Sequence, residues 1–303
     1  NKRRKDRKVM KQLTNIATIR SILNRYGFTF SKALGQNFLI NPSVCPRMAR
    51  ESGAGKGVGV LEIGPGLGVL TCELAKLAEK VVAIELDARL LPVLDETLGA
   101  FDHVKVVQGD VLKLDLNKLI EREFAGMQVC VCANLPYYIT SPVIMKLLEE
   151  QTRAAAITVM VQKEAAQRIC APAGTRQCGA VTIAVRYYCE PQMLFEVSAG
   201  SFLPAPKVDS AVIQLKPYKN PPWQTEDTAL FFRVVKSAFA QRRKTLLNAL
   251  ASGLALDKEE ICTVLKAAMV GHSLRAEQLS MEQFASVTNT LYGYLQEKEG
   301  YML

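Results

Sequence analysis

The sequence has little with which to hold a metal. Its eight cysteines (Cys45, Cys72, Cys130, Cys132, Cys170, Cys178, Cys189 and Cys262) are scattered singly among mostly apolar neighbours, and none forms the CxxC pair that begins a zinc site. They are expected as reduced, buried thiols, with Cys130 and Cys132 sharing one face of a strand-like run. The two histidines, His103 and His272, are read as turn or surface residues, so no metal is expected. Nowhere do the roughly 20 uncharged apolar residues that span a bilayer occur together. The chain opens on a basic tract where a secretory leader would carry an apolar run, which predicts a soluble, cytoplasmic protein with no membrane partner. Acid is scarce at one end: residues 1–50 carry twelve Lys or Arg against Asp6 alone, while the net charge of the whole is +9, so the remainder is about neutral. Such an excess suits a polyanionic partner. Met10 reads as a natural start and Lys2 to Lys8 as a flexible tail.

The 303 residues, 49% of them hydrophobic, suffice for one large domain and a small one. From Gly57 onward, apolar strand-like runs alternate with helical segments, the pattern of a doubly wound α/β sheet. The expected parallel strands are 58–63, 80–84, 104–108, 129–133 and 156–161, buried on both faces. Two later strands, 193–197 and 208–215, lack a helix-length connection and are expected as an antiparallel hairpin at the sheet edge. Residues 217–223 (PYKNPPW) hold three prolines and read as a linker. Beyond them, residues 226–295 show helical spacing and no convincing strand, giving a small all-helical C-terminal domain. The expected division is a basic tail over 1–15, an α/β domain over 16–217 and a helical domain over 224–303.

Residues Val60 to Gly68 (VLEIGPGLG) read as a strand, a glycine-rich turn and the start of a helix near Leu70. The spacing is GxGxG, with Glu62 two residues ahead of Gly64. A dinucleotide fingerprint would require glycine where Val69 stands, and this disfavours NAD. An amino-acid-bearing cofactor can instead use the turn at Gly64 and Gly66 through its ammonium and carboxylate groups. Glu85, with Leu86 beside it, comes twenty-one residues after Gly64 at the end of the next strand, where a carboxylate accepts both ribose hydroxyl protons of a nucleoside. The third strand ends at Gly109, Asp110 and Val111, so that Asp110 can accept from an adenine amine while Val111 packs on its ring. Three successive strand ends thus supply the parts of one adenosyl site.

After the fourth strand come Asn134, Leu135, Pro136, Tyr137 and Tyr138. The exocyclic amine of adenine is a poor nucleophile because its lone pair is delocalised into the ring, and two acceptors correct this. The Asn134 side-chain oxygen and the Leu135 carbonyl can each take one N–H and aim the amine at a sulfonium methyl. Pro136 stiffens the turn, and Tyr137 can stack on a flipped or unpaired base. No general base is required. Further along, Arg233, Lys236, Arg242, Arg243 and Lys244 occur with no acid before Asp257, which reads either as phosphate contact or as a solvated helix face.

Together these residues resemble the ribosomal RNA adenine N6,N6-dimethyltransferases, and among them the small-subunit enzymes of ribosome maturation. The resemblance runs from about Ile16 to Leu291 and implies a Rossmann-like methyltransferase sheet. Its carriers include the segment Leu34 to Leu39 (LGQNFL), the GPGxG turn, Glu85, the GD pair at Asp110, and NLPY at Asn134. The segment 202–210 (FLPAPKVDS) and the basic helix Arg233 to Leu247 also match. The family likeness implies S-adenosylmethionine as cofactor, with Gln36, Asn37 and Leu39 contacting its methionine end or covering it. It further implies that Phe202 faces the target base opposite Tyr137. The implied reaction is methylation of two adjacent adenines in a small-subunit rRNA hairpin loop, within an immature ribosomal subunit, by a monomer. Two other readings stand beside it: a large-subunit rRNA adenine dimethyltransferase of the antibiotic-resistance type, and a non-catalytic assembly or nucleic-acid-binding factor. Leu135 in place of Ile and the long C-terminal domain favour the small-subunit enzyme.

Overall fold

The computed structural model of the chain describes residues 13–28 and 37–300. Most of the expected basic tail, and Gln36, lie outside the described residues. Within the segment read as tail, Leu13 is buried, and the Asn15 side chain accepts from the amides of Ala17 and Thr18, capping α1 (Ile16–Arg25). In chain order there follow β1 (Phe38–Leu39), α2 (Val44–Glu51), β2 (Val58–Ile63), α3 (Val69–Leu74), β3 (Lys80–Glu85), α4 (Leu91–Leu98) and β4 (Val104–Gln108). Next come α5 (Leu116–Glu123), β5 (Gln128–Asn134), α6 (Thr140–Glu149), β6 (Ala154–Gln162), α7 (Lys163–Cys170) and α8 (Ala180–Tyr188). The chain ends with β7 (Cys189–Val197), β8 (Phe202–Leu203), β9 (Ser210–Pro217), α9 (Thr228–Ala240), α10 (Leu246–Leu254), α11 (Lys258–Ala267) and α12 (Met281–Gly300). No helix among the described residues is long and apolar enough to cross a membrane.

Among the described residues, seven strands form one sheet in the order β4-β3-β2-β5-β6-β9-β7. The first five are parallel, and β9 runs antiparallel to β6. The expected strands are all present, several longer than expected. Val60, Leu61, Val81, Val82, Val131 and Cys132 are wholly buried, which is why these strands read as continuous apolar runs rather than alternating ones. Gly59 belongs to that packing: a Cβ there would collide with the buried ring of Phe124. After β4 the chain crosses to β5 on the far side of β2, so strand order reverses between β2 and β5. In open α/β sheets the crevice outside the carboxyl ends at such a reversal binds ligands. The cysteines are free and most are buried, but Cys262 is exposed, contrary to the expectation for it.

The chain divides into two compact units, Asn1–Ala166 with Gln192–Pro217, and Gln167–Pro191 with Tyr218–Leu303. The division differs from a single break after residue 217, because α8 lies in the helical unit. Its Ile183 and Tyr187 enter one apolar cluster with Phe231, Leu265 and Phe284. Flanked by β6 and β7, the segment has the local pattern of an ordinary crossover helix, and only its packing assigns it elsewhere.

The basic segment also departs from expectation. It is not one helix to Leu247: α9 stops at Ala240, Gln241 leaves helical geometry (φ −128, ψ 72), and Lys244 N donates to Gln241 O at 2.8 Å to close a turn. The fold-back buries Leu246 and Leu250, and α10 then passes so close to α9 that a Cβ on Gly253 would strike Ser237. Arg233 and Lys236 therefore sit on a helix and Arg242, Arg243 and Lys244 in a turn, all five exposed.

Candidate active site at the strand ends

The turn after β2 has the shape that its glycines permit. Gly64, Gly66 and Gly68 take φ values of +71, +58 and +85, a region costly for any residue with a Cβ. Gly64 N donates to Ile84 O at 2.9 Å, which ties the turn to the end of β3. A Cβ on Gly66 would lie 3.3 Å from the ring of Phe38, so that ring closes over the turn.

Two carboxylates stand beside it. Glu85, at the end of β3, is 6% exposed. One oxygen accepts from Asp87 N at 2.8 Å and the other from Gly66 N at 3.3 Å. Burial raises its pKa, and those two amides oppose the rise. Each oxygen keeps a lone pair for a further donor. Glu62, in the middle of the sheet, is wholly buried, and neither of its oxygens has a hydrogen-bond partner among the described residues. Burial pushes its carboxyl up to about 8; the Thr71 hydroxyl opposes this, though no well-formed hydrogen bond joins the two, and the charge of Glu85 adds to it. An uncompensated buried carboxyl facing a cavity is a site for a cation or a donor.

Beyond β4, Asp110 Oδ1 accepts from Leu112 N at 3.0 Å, which fixes the loop and leaves the other oxygen toward Lys113 at 3.8 Å. Val111 is buried. At the end of β5, Ala133 pairs with Ile63, and a Cβ on Gly64 would stand 4.0 Å from the Asn134 carbonyl oxygen. Leu135 N donates to Met160 O at 3.2 Å, and Pro136 turns the chain into a short 3-10 turn over Tyr137–Ile139. The hydroxyls of Tyr137 and Ser210 hydrogen-bond at 2.8 Å. Phe202 arrives from a distant segment because β8 pairs antiparallel with β1, Leu39 opposite Phe202 and Phe38 opposite Leu203.

Asn37, Leu39, Glu62, Gly64, Gly66, Glu85, Leu86, Asp110, Val111, Asn134, Leu135, Pro136, Tyr137 and Phe202 all line one cavity of about 280 Å³. Gln36 lies outside the described residues. The same cavity is lined by Phe38, Cys45, Leu112 and Tyr138, which the motifs did not single out. Phe38 falls inside LGQNFL and Tyr138 directly follows NLPY, so a signal existed for both. For Cys45 the sequence carries none. The five cations from Arg233 to Lys244 belong to the helical unit.

A sequence model of ribosomal RNA adenine dimethylases matches residues 27–292. The ribosomal RNA small subunit methyltransferase A of Geobacillus thermodenitrificans is 47% identical over 93% of this chain and 97% of its own length. The protein of the same name from Alkaliphilus oremlandii is 45% identical over 93% and 99%. Among solved structures, a dimethyladenosine transferase from Plasmodium falciparum is similar with a TM-score of 0.69 at 25% identity, covering 86% of this chain and 98% of that one. The 23S rRNA methyltransferase ErmE is similar with a TM-score of 0.65 at 25% identity, over 84% and 100%. With a profile spanning most of its length and relatives this near, the chain belongs to the ribosomal RNA adenine dimethylase family.

Proposed function

We infer that the chain transfers methyl groups from S-adenosylmethionine to the exocyclic N6 amine of adenine in small-subunit rRNA. Its target is two adjacent adenines of a hairpin loop, met as a monomer acting on an immature subunit. The observation that supports this is that the Asn134 main-chain carbonyl lies beside Gly64 while Asn134 and Leu135 line the same cavity as the glycine turn.

The residues present fit that donor. Glu62, buried without a partner among the described residues, suits its ammonium group, and Glu85 has lone pairs for two ribose hydroxyls. Asp110 suits the adenine amine, Val111 and Leu86 would pack on its ring, and Asn37 and Leu39, which line the same cavity, would hold the methionine end. When bound, the cofactor supplies an electrophilic methyl group on a sulfonium. Asn134 and the Leu135 carbonyl take the two N–H bonds of the target amine and free its lone pair for attack. The amine, once methylated, would release its surplus proton to solvent, so no residue of the chain is needed as a general base. Tyr137, held by Ser210, and Phe202 face the base from two sides. Arg233, Lys236, Arg242, Arg243 and Lys244 contact RNA phosphates from the helical unit.

The small-subunit relatives at 45–47% identity favour that substrate over the large-subunit one, whose representative stands at 25%. Mapping dimethyladenosine by mass spectrometry in rRNA from cells lacking the gene, with and without complementation, tests the reading. Loss confined to small-subunit RNA and restored by the gene supports it; unchanged small-subunit modification overturns it.

A further inference from the structure

Tyr137 and Tyr138 are adjacent in sequence and opposite in setting. The first is half-buried with its hydroxyl held by Ser210. The second lines the same cavity, yet it is 54% exposed and has neither a hydrogen-bond nor a ring partner among the described residues. The turn that carries it is braced by Ile139 N donating to Pro136 O at 3.1 Å and by the buried Thr140. Exposed apolar side chains grouped at one opening mark a contact surface rather than an accident of folding. Leu86 and Leu112 are also exposed and also line this cavity, but they come from the ends of β3 and β4, where the nucleoside of the cofactor belongs. Tyr138 is the exposed ring on the β5 side, where the target enters.

We propose that Tyr138 is a positioning residue whose ring is a stacking platform for the unpaired base next to the target adenine. This rests on the function proposed above. Drawing one adenine out of its stack strips its neighbour of a partner, and a fixed exposed ring beside the opening replaces that partner without regard to base identity. Tyr137 cannot do both tasks, since its anchored ring faces the cavity with Phe202.

The test uses the full chain and small ribosomal subunits reconstituted on unmethylated rRNA. One set carries the intact loop, and a second set lacks the base of the nucleotide beside the target. Tyr138→Ala is expected to raise KM for intact subunits by about tenfold with little change in kcat, as for loss of one base–aromatic stack. The same variant on the abasic subunits should show no further loss, and Tyr138→Phe should behave as the wild type. Penalties that multiply, an unchanged KM, or failure of Tyr138→Phe to restore the value would each overturn the assignment. If the wild type methylates neither set of subunits, the proposed function itself fails, an outcome distinct from active wild type with multiplying penalties.

Discussion

The glycine turn of the first unit and the basic turn of the second both follow a regular element, and they differ in what fixes them. Residues 64–68 are held by their backbone: three left-handed glycines, a hydrogen bond to Ile84 and the ring of Phe38 close by. Residues 241–244 are held by the Gln241–Lys244 bond, the burial of Leu246 and side-chain bonds from Gln241 to Ser252 and from Arg242 to the Arg176 carbonyl, while Arg243 and Lys244 project into solvent. A side chain added to the first changes the shape of a cradle. Removing the side chain of Arg243 or Lys244 from the second changes charge and leaves the shape alone. Methyl transfer needs reacting atoms held within a fraction of an ångström, whereas attraction to phosphate tolerates several ångströms, so on the proposed roles each task would have the kind of loop that suits it.

The contrast is sharpest at Asn134. Asn134→Ala is expected to cut single-turnover methyl transfer by about 100-fold or more while subunit binding, followed by co-sedimentation, stays nearly intact. Loss of both together would mean that the two tasks are not separated. Glu62→Gln should weaken cofactor binding by roughly 10- to 100-fold, as expected for a lost charge-assisted hydrogen bond, measured by calorimetry. The same residue sets a pH dependence. Its carboxyl, at about 8 in the fold against a usual 4.5, binds a proton that the unfolded chain has released. Stability without cofactor should therefore fall as pH rises through about 8. Thermal melts between pH 6 and 9 should show that slope in the wild type and a flatter one in Glu62→Gln, whereas cofactor affinity, which needs the carboxylate, should strengthen over the same range.

Gly59→Ala tests the backbone rule away from the chemistry. Its methyl group meets the buried Phe124 ring, and chemical denaturation should show a loss of about 1–3 kcal/mol. Arg243→Ala, in the solvent-facing turn, should do least: the slope of log affinity against log salt should shrink by about 0.7–0.9, the share of one phosphate contact. A change in melting temperature comparable to that of Gly59→Ala would show that the basic turn is also structurally committed.

The parts of the site that follow from short-range rules were legible in the sequence. Parallel strands buried on both faces announce themselves as apolar runs, GxGxG announces a left-handed turn, and Glu85 stands where the next strand must end. What could not be read joins residues far apart by contacts with no period. The β1–β8 ladder pairs only two residues from each strand, Phe38 and Leu39 with Leu203 and Phe202, and so leaves no pattern in either segment. The break at residue 241 contains neither Pro nor Gly; it exists because Leu246 and Leu250 are better buried by turning back. The assignment of α8 to the helical unit likewise depends on which apolar cluster Ile183 and Tyr187 enter, a choice made by packing and not by helix propensity.

The bond between Tyr137 and Ser210 spans 73 positions of the chain and ends on β9, which is added to the sheet only after the β7 segment has been made. A polypeptide halted before residue 210 would already hold the glycines and both carboxylates, yet its phenol would have no mooring. On the roles proposed above, the residues for the nucleoside come from earlier strands, and the side meant for RNA is completed only by the antiparallel one.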